Sequence, residues 1–134
     1  MSTLKVTTIQ DTSGGNASTS EQINQGRVKV WVNFDGSGTI SIRDSFNVSS
    51  VTDEGTGQYE INFSNALGNS NYAVATSGFN TLNSDGGWVA TSAGTSEWAS
   101  NADISTTRVR IASFVSTSGQ HQDGDAFGII ICGD

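Results

Sequence analysis

The sequence predicts an all-β chain: an antiparallel, jelly-roll-like β-sandwich preceded by a short N-terminal strand and linker. Three observations predict it. Ser, Thr, Asn and Gly number 20, 15, 11 and 16, together 62 of the 134 residues, and all four are mediocre or poor helix formers. Several segments alternate apolar and polar residues with a period of two, the signature of a half-buried strand. Those segments are separated by Asp, Asn, Ser and Gly clusters of the kind that build tight turns.

The elements follow in order. Leu4 to Ile9 alternates, with Leu4, Val6 and Thr8 on one face, and predicts a first strand. Gln10 to Ser20 contains Gly14-Gly15 and reads as a linker. Ser20 to Gly26 has the makings of a short helix, with Ser20 as cap and Gly26 at its end. A boundary near Gly26 divides the chain into an attachment segment, residues 1–26, and a sandwich domain, residues 27–134. Val28, Val30, Val32 and Phe34 alternate with Lys29, Trp31 and Asn33, the strongest periodic signal in the chain. Asp35-Gly36-Ser37-Gly38 then predicts a hairpin turn into Thr39 to Arg43, with Ile40 and Ile42 facing the valines. Val51 to Asp53 and the Tyr59, Ile61, Phe63 series flank a second turn at Asp53 to Gly57. Asn71 to Phe79 is small or apolar on both faces and reads as a central strand. Trp88 to Thr91 and Thr107 to Val115 follow, while Ala99 to Asp103 has no clear assignment. The last strand, Asp125 to Cys132, holds Ile129-Ile130-Ile131. A run without alternation is covered on both faces, by neighbouring strands or by a neighbouring chain.

Length and charge bound the function. The chain has one domain's worth of residues and can bury roughly two thirds of its unfolded surface. Six Lys and Arg against 13 Asp and Glu give a net charge of −7, the wrong sign for displacing counterions from phosphate, so nucleic acid is not expected as a partner. An anionic membrane surface is disfavoured for the same reason. The longest apolar run, Phe127 to Cys132, is far short of the roughly 20 residues of a membrane helix, so no membrane insertion is expected. A single cysteine, Cys132, rules out an internal disulfide. The N-terminus shows neither a basic cluster nor an apolar segment, so no secretory signal is visible.

Chemistry-bearing patterns are sparse. His121, Asp123 and Asp125 alternate and would point the same way in an extended segment, a weak candidate for a divalent ion; a solvated loop is the favoured reading. There is no Gly-x-Ser-x-Gly elbow, and one loop histidine is a poor basis for a catalytic triad. Asp53 and Glu54 are adjacent acids in a glycine-rich turn, the ordinary place for solvated turn formers rather than a glycosidase pair. Gly55-Thr56-Gly57 lacks the lysine and helix of a phosphate loop. No enzyme and no cofactor are expected. The tryptophans are more informative. Trp31 lies on the polar face of its strand, where it suits a sugar ring, another subunit or a sheet edge.

The stretch Gln25-Gly26-Arg27-Val28-Lys29-Val30-Trp31-Val32-Asn33-Phe34-Asp35-Gly36-Ser37-Gly38-Thr39-Ile40, continuing to Asp53, resembles a segment of tail-fibre-like proteins of marine and cyanobacterial tailed phages. Gly55-Thr56-Gly57-Gln58-Tyr59-Glu60-Ile61-Asn62-Phe63 and Asn71-Tyr72-Ala73-Val74 continue the pattern. Leu4 to Asp11 and Ser13 to Asn16 look like its lead-in. The resemblance spans roughly residues 4 to 78. It implies a virion fibre, made in the host cytoplasm and carried on the phage exterior, as a parallel homotrimer. One departure is the near-absence of a shaft before the domain, which fits an adaptor or short terminal piece.

Residues and resemblance together set the expectations. Trimerisation gives a weakly hydrophobic chain more apolar surface to bury, with Leu4, Val6, Ile129, Ile130 and Ile131 as seam candidates. Loops at a sandwich end vary freely over a rigid scaffold, so Asn80, Asn83, Asp85, Trp88 and Trp98 are the expected contacts to a host surface glycan or protein. The N-terminal segment would attach to other tail or baseplate proteins. The alternative is a purely structural virion component, such as a head fibre, decoration protein or tail adaptor, without receptor binding.

Overall fold

A computed structural model describes residues 1–79, 89–93, 104–115 and 120–133, with the backbone alone at 79, 89–93 and 115. Among the described residues, ten strands and one helix occur in the order β1 Thr8–Ile9, β2 Ser18–Thr19, α1 Ser20–Gly26, β3 Val28–Asp35, β4 Ser41–Phe46, β5 Val48–Gly55, β6 Gln58–Phe63, β7 Ala73–Phe79, β8 Val89–Ala93, β9 Arg108–Val115 and β10 Ala126–Cys132. Two antiparallel four-stranded sheets, ordered β4-β3-β10-β7 and β5-β6-β9-β8, enclose one core. The β-sandwich predicted from alternation is therefore the fold. The pairs β3–β4, β5–β6 and β8–β9 are neighbours within a sheet, and a jelly-roll winding is not shown.

The core follows the period of two. Val30, Val32 and Phe34 of β3 and Phe127, Ile129 and Ile131 of β10 face Tyr59, Ile61 and Phe63 of β6 and Val109 and Ile111 of β9. Phe34, Tyr59 and Phe127 form an aromatic centre, with ring centroids 5.2, 5.1 and 5.0 Å apart. Full burial of side chains of this size contributes about 1.5–3 kcal/mol each, so these few strands carry most of the hydrophobic stabilisation.

Polar contacts close the ends of the sandwich. Tyr59 is wholly buried, and its hydroxyl donates to the Gly36 carbonyl or the Asp123 carboxylate, each 3.0 Å away. Asp123 also accepts from the Gly57 amide at 2.6 Å, tying the loop before β10 to the β5–β6 turn. Gly57 adopts φ +66°, and a Cβ there would lie 2.6 Å from the Ser113 carbonyl oxygen, so only glycine fits the turn. At the other end Asn47 is the single residue between β4 and β5, where the chain passes from one sheet to the other. Its φ of +58° makes the corner. Its side-chain amide bonds the carbonyls of Lys29 and Asn65, and its oxygen accepts from the Asn65 amide.

The N-terminal residues depart most from expectation. Only Thr8–Ile9 of the expected first strand is ordered as one, paired with Ser18–Thr19 in a two-stranded sheet of its own. The expected linker is a tight turn instead, in which Asp11 accepts from Ser13 and Gly15 amides at 3.0 and 2.7 Å. Those bonds, led by the Ser13 hydroxyl, hold the Asp11 carboxyl below its usual range. The helix spans the expected residues, but Thr19 caps it, in a reciprocal box with Gln22. Two further expectations change. β7 is an edge strand, not a central one. Ile42 stays 39% exposed on edge strand β4, beyond a register shift at Asn33/Phe34, while Ile40 packs on the core.

Candidate functional site

The two outer faces of the sandwich differ in kind. On β6 and β9, Glu60 is held by Arg110 at 2.8 Å and Arg108 at 3.3 Å, so this outer face is charged and internally paired. The outer face of β4-β3-β10-β7 is apolar along one complete row. Phe46 pairs with Trp31, Trp31 with Ile130, and Ile130 with Ala75, so one apolar residue from each strand lines up across the sheet. Phe46 is 55% and Ile130 46% exposed, while Trp31 is half-buried.

Alternation explains the row. Sending Val30, Val32 and Phe34 inward sends Trp31 outward, and sending Ile129 and Ile131 inward sends Ile130 outward. The next outward row, Asp44, Asn33, Gly128 and Ser77, is polar or bare. Gly128 carries no side chain, and a Cβ there would lie 2.7 Å from the Ser77 hydroxyl, which would have to turn aside. The missing side chain leaves a depression of about 350 Å³ between the rows, walled by Trp31 and Ile130, with Asn33, Thr76 and Ser77 at its polar side. None of its lining side chains is titratable. It can hold a partner by area, shape and a few neutral hydrogen bonds. Beyond it, Arg43 reaches Asn33 at 3.3 Å and Asp35 at 3.2 Å. Two bonds from Ser37, helped by Arg43, keep the Asp35 carboxyl below its ordinary range. A second depression, of about 440 Å³, opens on the far side of Phe46 and includes Arg27, Lys29, Asn47 and Leu67.

The structure sorts the site residues expected from sequence. Ile129 and Ile131 do not lie at a subunit seam: they are 1% and 0% exposed inside the chain's own core, and strand alternation puts them there. Ile130 is the member of the triplet that faces out. Leu4 and Val6 are exposed, at 83% and 42%. Asn80, Asn83, Asp85, Trp88 and Trp98 lie outside the described residues. His121, Asp123 and Asp125 do not converge. His121 packs edge-on against Phe114, with ring centroids 5.7 Å apart, and Asp123 is engaged by Tyr59 and Gly57. Among the described residues no three His, Cys, Asp or Glu side chains come together as a metal site. Asp53 accepts from the Gly55 amide, as a turn former does.

Sequence reasoning missed Phe46 and the row itself. Each member sits in a different strand, and only the register brings them together. The available signals were an aromatic at an outward position of β4 and an isoleucine where alternation called for a polar residue in β10. No described helix is long and apolar enough to cross a membrane. Comparison of the chain with protein-family models, curated proteins and solved structures returns no match.

Proposed function

We propose that this chain is a fibre protein of a phage virion, a homotrimer that contributes to attachment at the host surface by binding rather than catalysis. The observation that carries the reading is the uncovered apolar row on one outer face of a sandwich whose interior is already complete. A face of this kind marks a protein partner. The polar, glycine-rich exterior and the likeness of residues 4 to 78 to tail-fibre-like proteins support a place on a virion. Residues 1–26, mostly exposed, form the extension by which such a head joins other tail or baseplate proteins. Recognition of a surface glycan or protein falls to the chain segments 80–88 and 94–101, and three copies multiply weak contacts by avidity.

The test is a reconstruction of the intact particle with this protein labelled, combined with adsorption of virions carrying shortened 80–88 and 94–101 segments. The reading expects copies in multiples of three on a tail or exterior fibre, and adsorption reduced at least tenfold. A capsid location with unchanged adsorption would favour a structural head fibre or decoration protein and overturn the attachment role.

A further inference from the structure

Among the described residues, two apolar features stand out as uncovered. One is the row Phe46, Trp31, Ile130 and Ala75. The other is the N-terminal arm, where Leu4 and Val6, two residues apart, are exposed and Ile9 is 55% exposed. The arm's strand β1 pairs only with β2, in a sheet separate from both sandwich sheets. We propose that the occupant of the apolar row is the N-terminal arm of a second copy of this chain. The proposal rests on the trimer reading above and names its seam.

Area, charge and symmetry argue for it. Four strands about 4.8 Å apart and seven residues long at 3.3 Å each give a face of about 440 Å² in projection. That is roughly half of the 800 Å² per partner that a specific interface uses, so two faces pressed together are too small. In an arm exchange each copy buries both its arm and its face, which about doubles the area. Residues 1–10 carry Lys5 and no acid, so the rest of the chain is more negative than its total of −7. The arm is thus one of two positive stretches of an anionic protein, the other holding Arg27 and Lys29 beyond Phe46, and exposed Asp44 lies in the row beside the one the arm would cover. An arm-to-face contact joins two different patches, so it is compatible with a closed ring of three, the state the trimer reading requires.

The native thiol gives a direct test. Cys132 lies two residues beyond Ile130, opposite Ala73 on β7 and past a register shift against β3; it is part-exposed, and the chain has no other cysteine. Leu4→Cys and Val6→Cys variants of the full chain are treated with a short bis-maleimide and run under denaturing conditions. The proposal expects covalent dimers and trimers, abolished by Cys132→Ala. A cross-link confined within one chain would put the arm on its own sheet and overturn the proposal, as would no cross-link from either position. In parallel, Ile130→Glu should raise the dissociation constant about 100-fold or more, because the seam would then hold an unpaired charge, with the β circular dichroism unchanged. If Ile130→Glu keeps the wild-type mass in light scattering, this seam is wrong and the trimer stands. If the wild type itself has the mass of one chain, the trimer reading falls with it.

Discussion

Three consecutive isoleucines near the C-terminus offer the sharpest test of which apolar residues belong inside one copy. Ile129 and Ile131 are 1% and 0% exposed, Ile130 46%. Truncating a fully buried isoleucine to alanine removes its transfer free energy and leaves a cavity, a loss of about 2–5 kcal/mol. Ile130 has neither full burial nor a closed surround. With about half of a 1.5–3 kcal/mol burial contribution available, Ile130→Ala should cost about 1 kcal/mol in a single copy. The assay is urea unfolding of the three variants at several protein concentrations. Ile129→Ala and Ile131→Ala should lower the midpoint by the same large amount at every concentration. Ile130→Ala should cost little at high dilution and more as concentration rises, because its remaining surface is covered only on association. Equal, concentration-independent losses at all three positions would refute the assignment of Ile130 to the outer face.

Other outcomes follow from the polar ends of the sandwich. The chain's two tyrosines, Tyr59 and Tyr72, are both buried. Burial, aided by the Asp123 carboxylate, raises the Tyr59 phenol far above its ordinary value, and burial pushes Tyr72 up to about 12. Their folded values exceed the unfolded one, so the stability they contribute is whole below about pH 10 and is lost as pH rises past it. Tyrosinate absorbance should therefore stay flat through pH 10 and then rise together with loss of β structure; a smooth titration centred on pH 10 in folded protein would contradict the burial. Gly57→Ala should destabilise by at least about 2 kcal/mol in thermal melts, since it combines a left-handed backbone with a clash against the Ser113 carbonyl. A neutral Gly57→Ala would contradict the left-handed turn and its close approach to the Ser113 carbonyl.

Much of the sandwich was legible because burial imposes a period of two that local sequence displays. Val28 to Phe34, Tyr59 to Phe63 and Val109 to Ser113 each announce their inward face, and Asp35-Gly36 and Asp53 to Gly57 announce their turns. Thr19 was missed as the helix cap because Ser20 beside it has the same chemistry; the reciprocal Gln22 three residues on was the distinguishing sign. The alternation of Leu4 to Ile9 is as clean as that of β3, yet only its end pairs as a strand. A strand needs a partner, and none is visible in local sequence. The triple isoleucine was read as covered on both faces. Its strand is indeed central, between β3 and β7, but one chain covers only one of its faces. The apolar row was out of reach for a physical reason. Phe46, Trp31, Ile130 and Ala75 are scattered over a hundred residues and become neighbours only through three registers.

Sedimentation equilibrium of the full chain, over loadings from about 10 nM to about 100 µM, probes self-association itself. The account predicts a single species of three times the 14.0 kDa chain mass at the upper end, giving way to smaller species on dilution. A mass of one chain at every loading would contradict it.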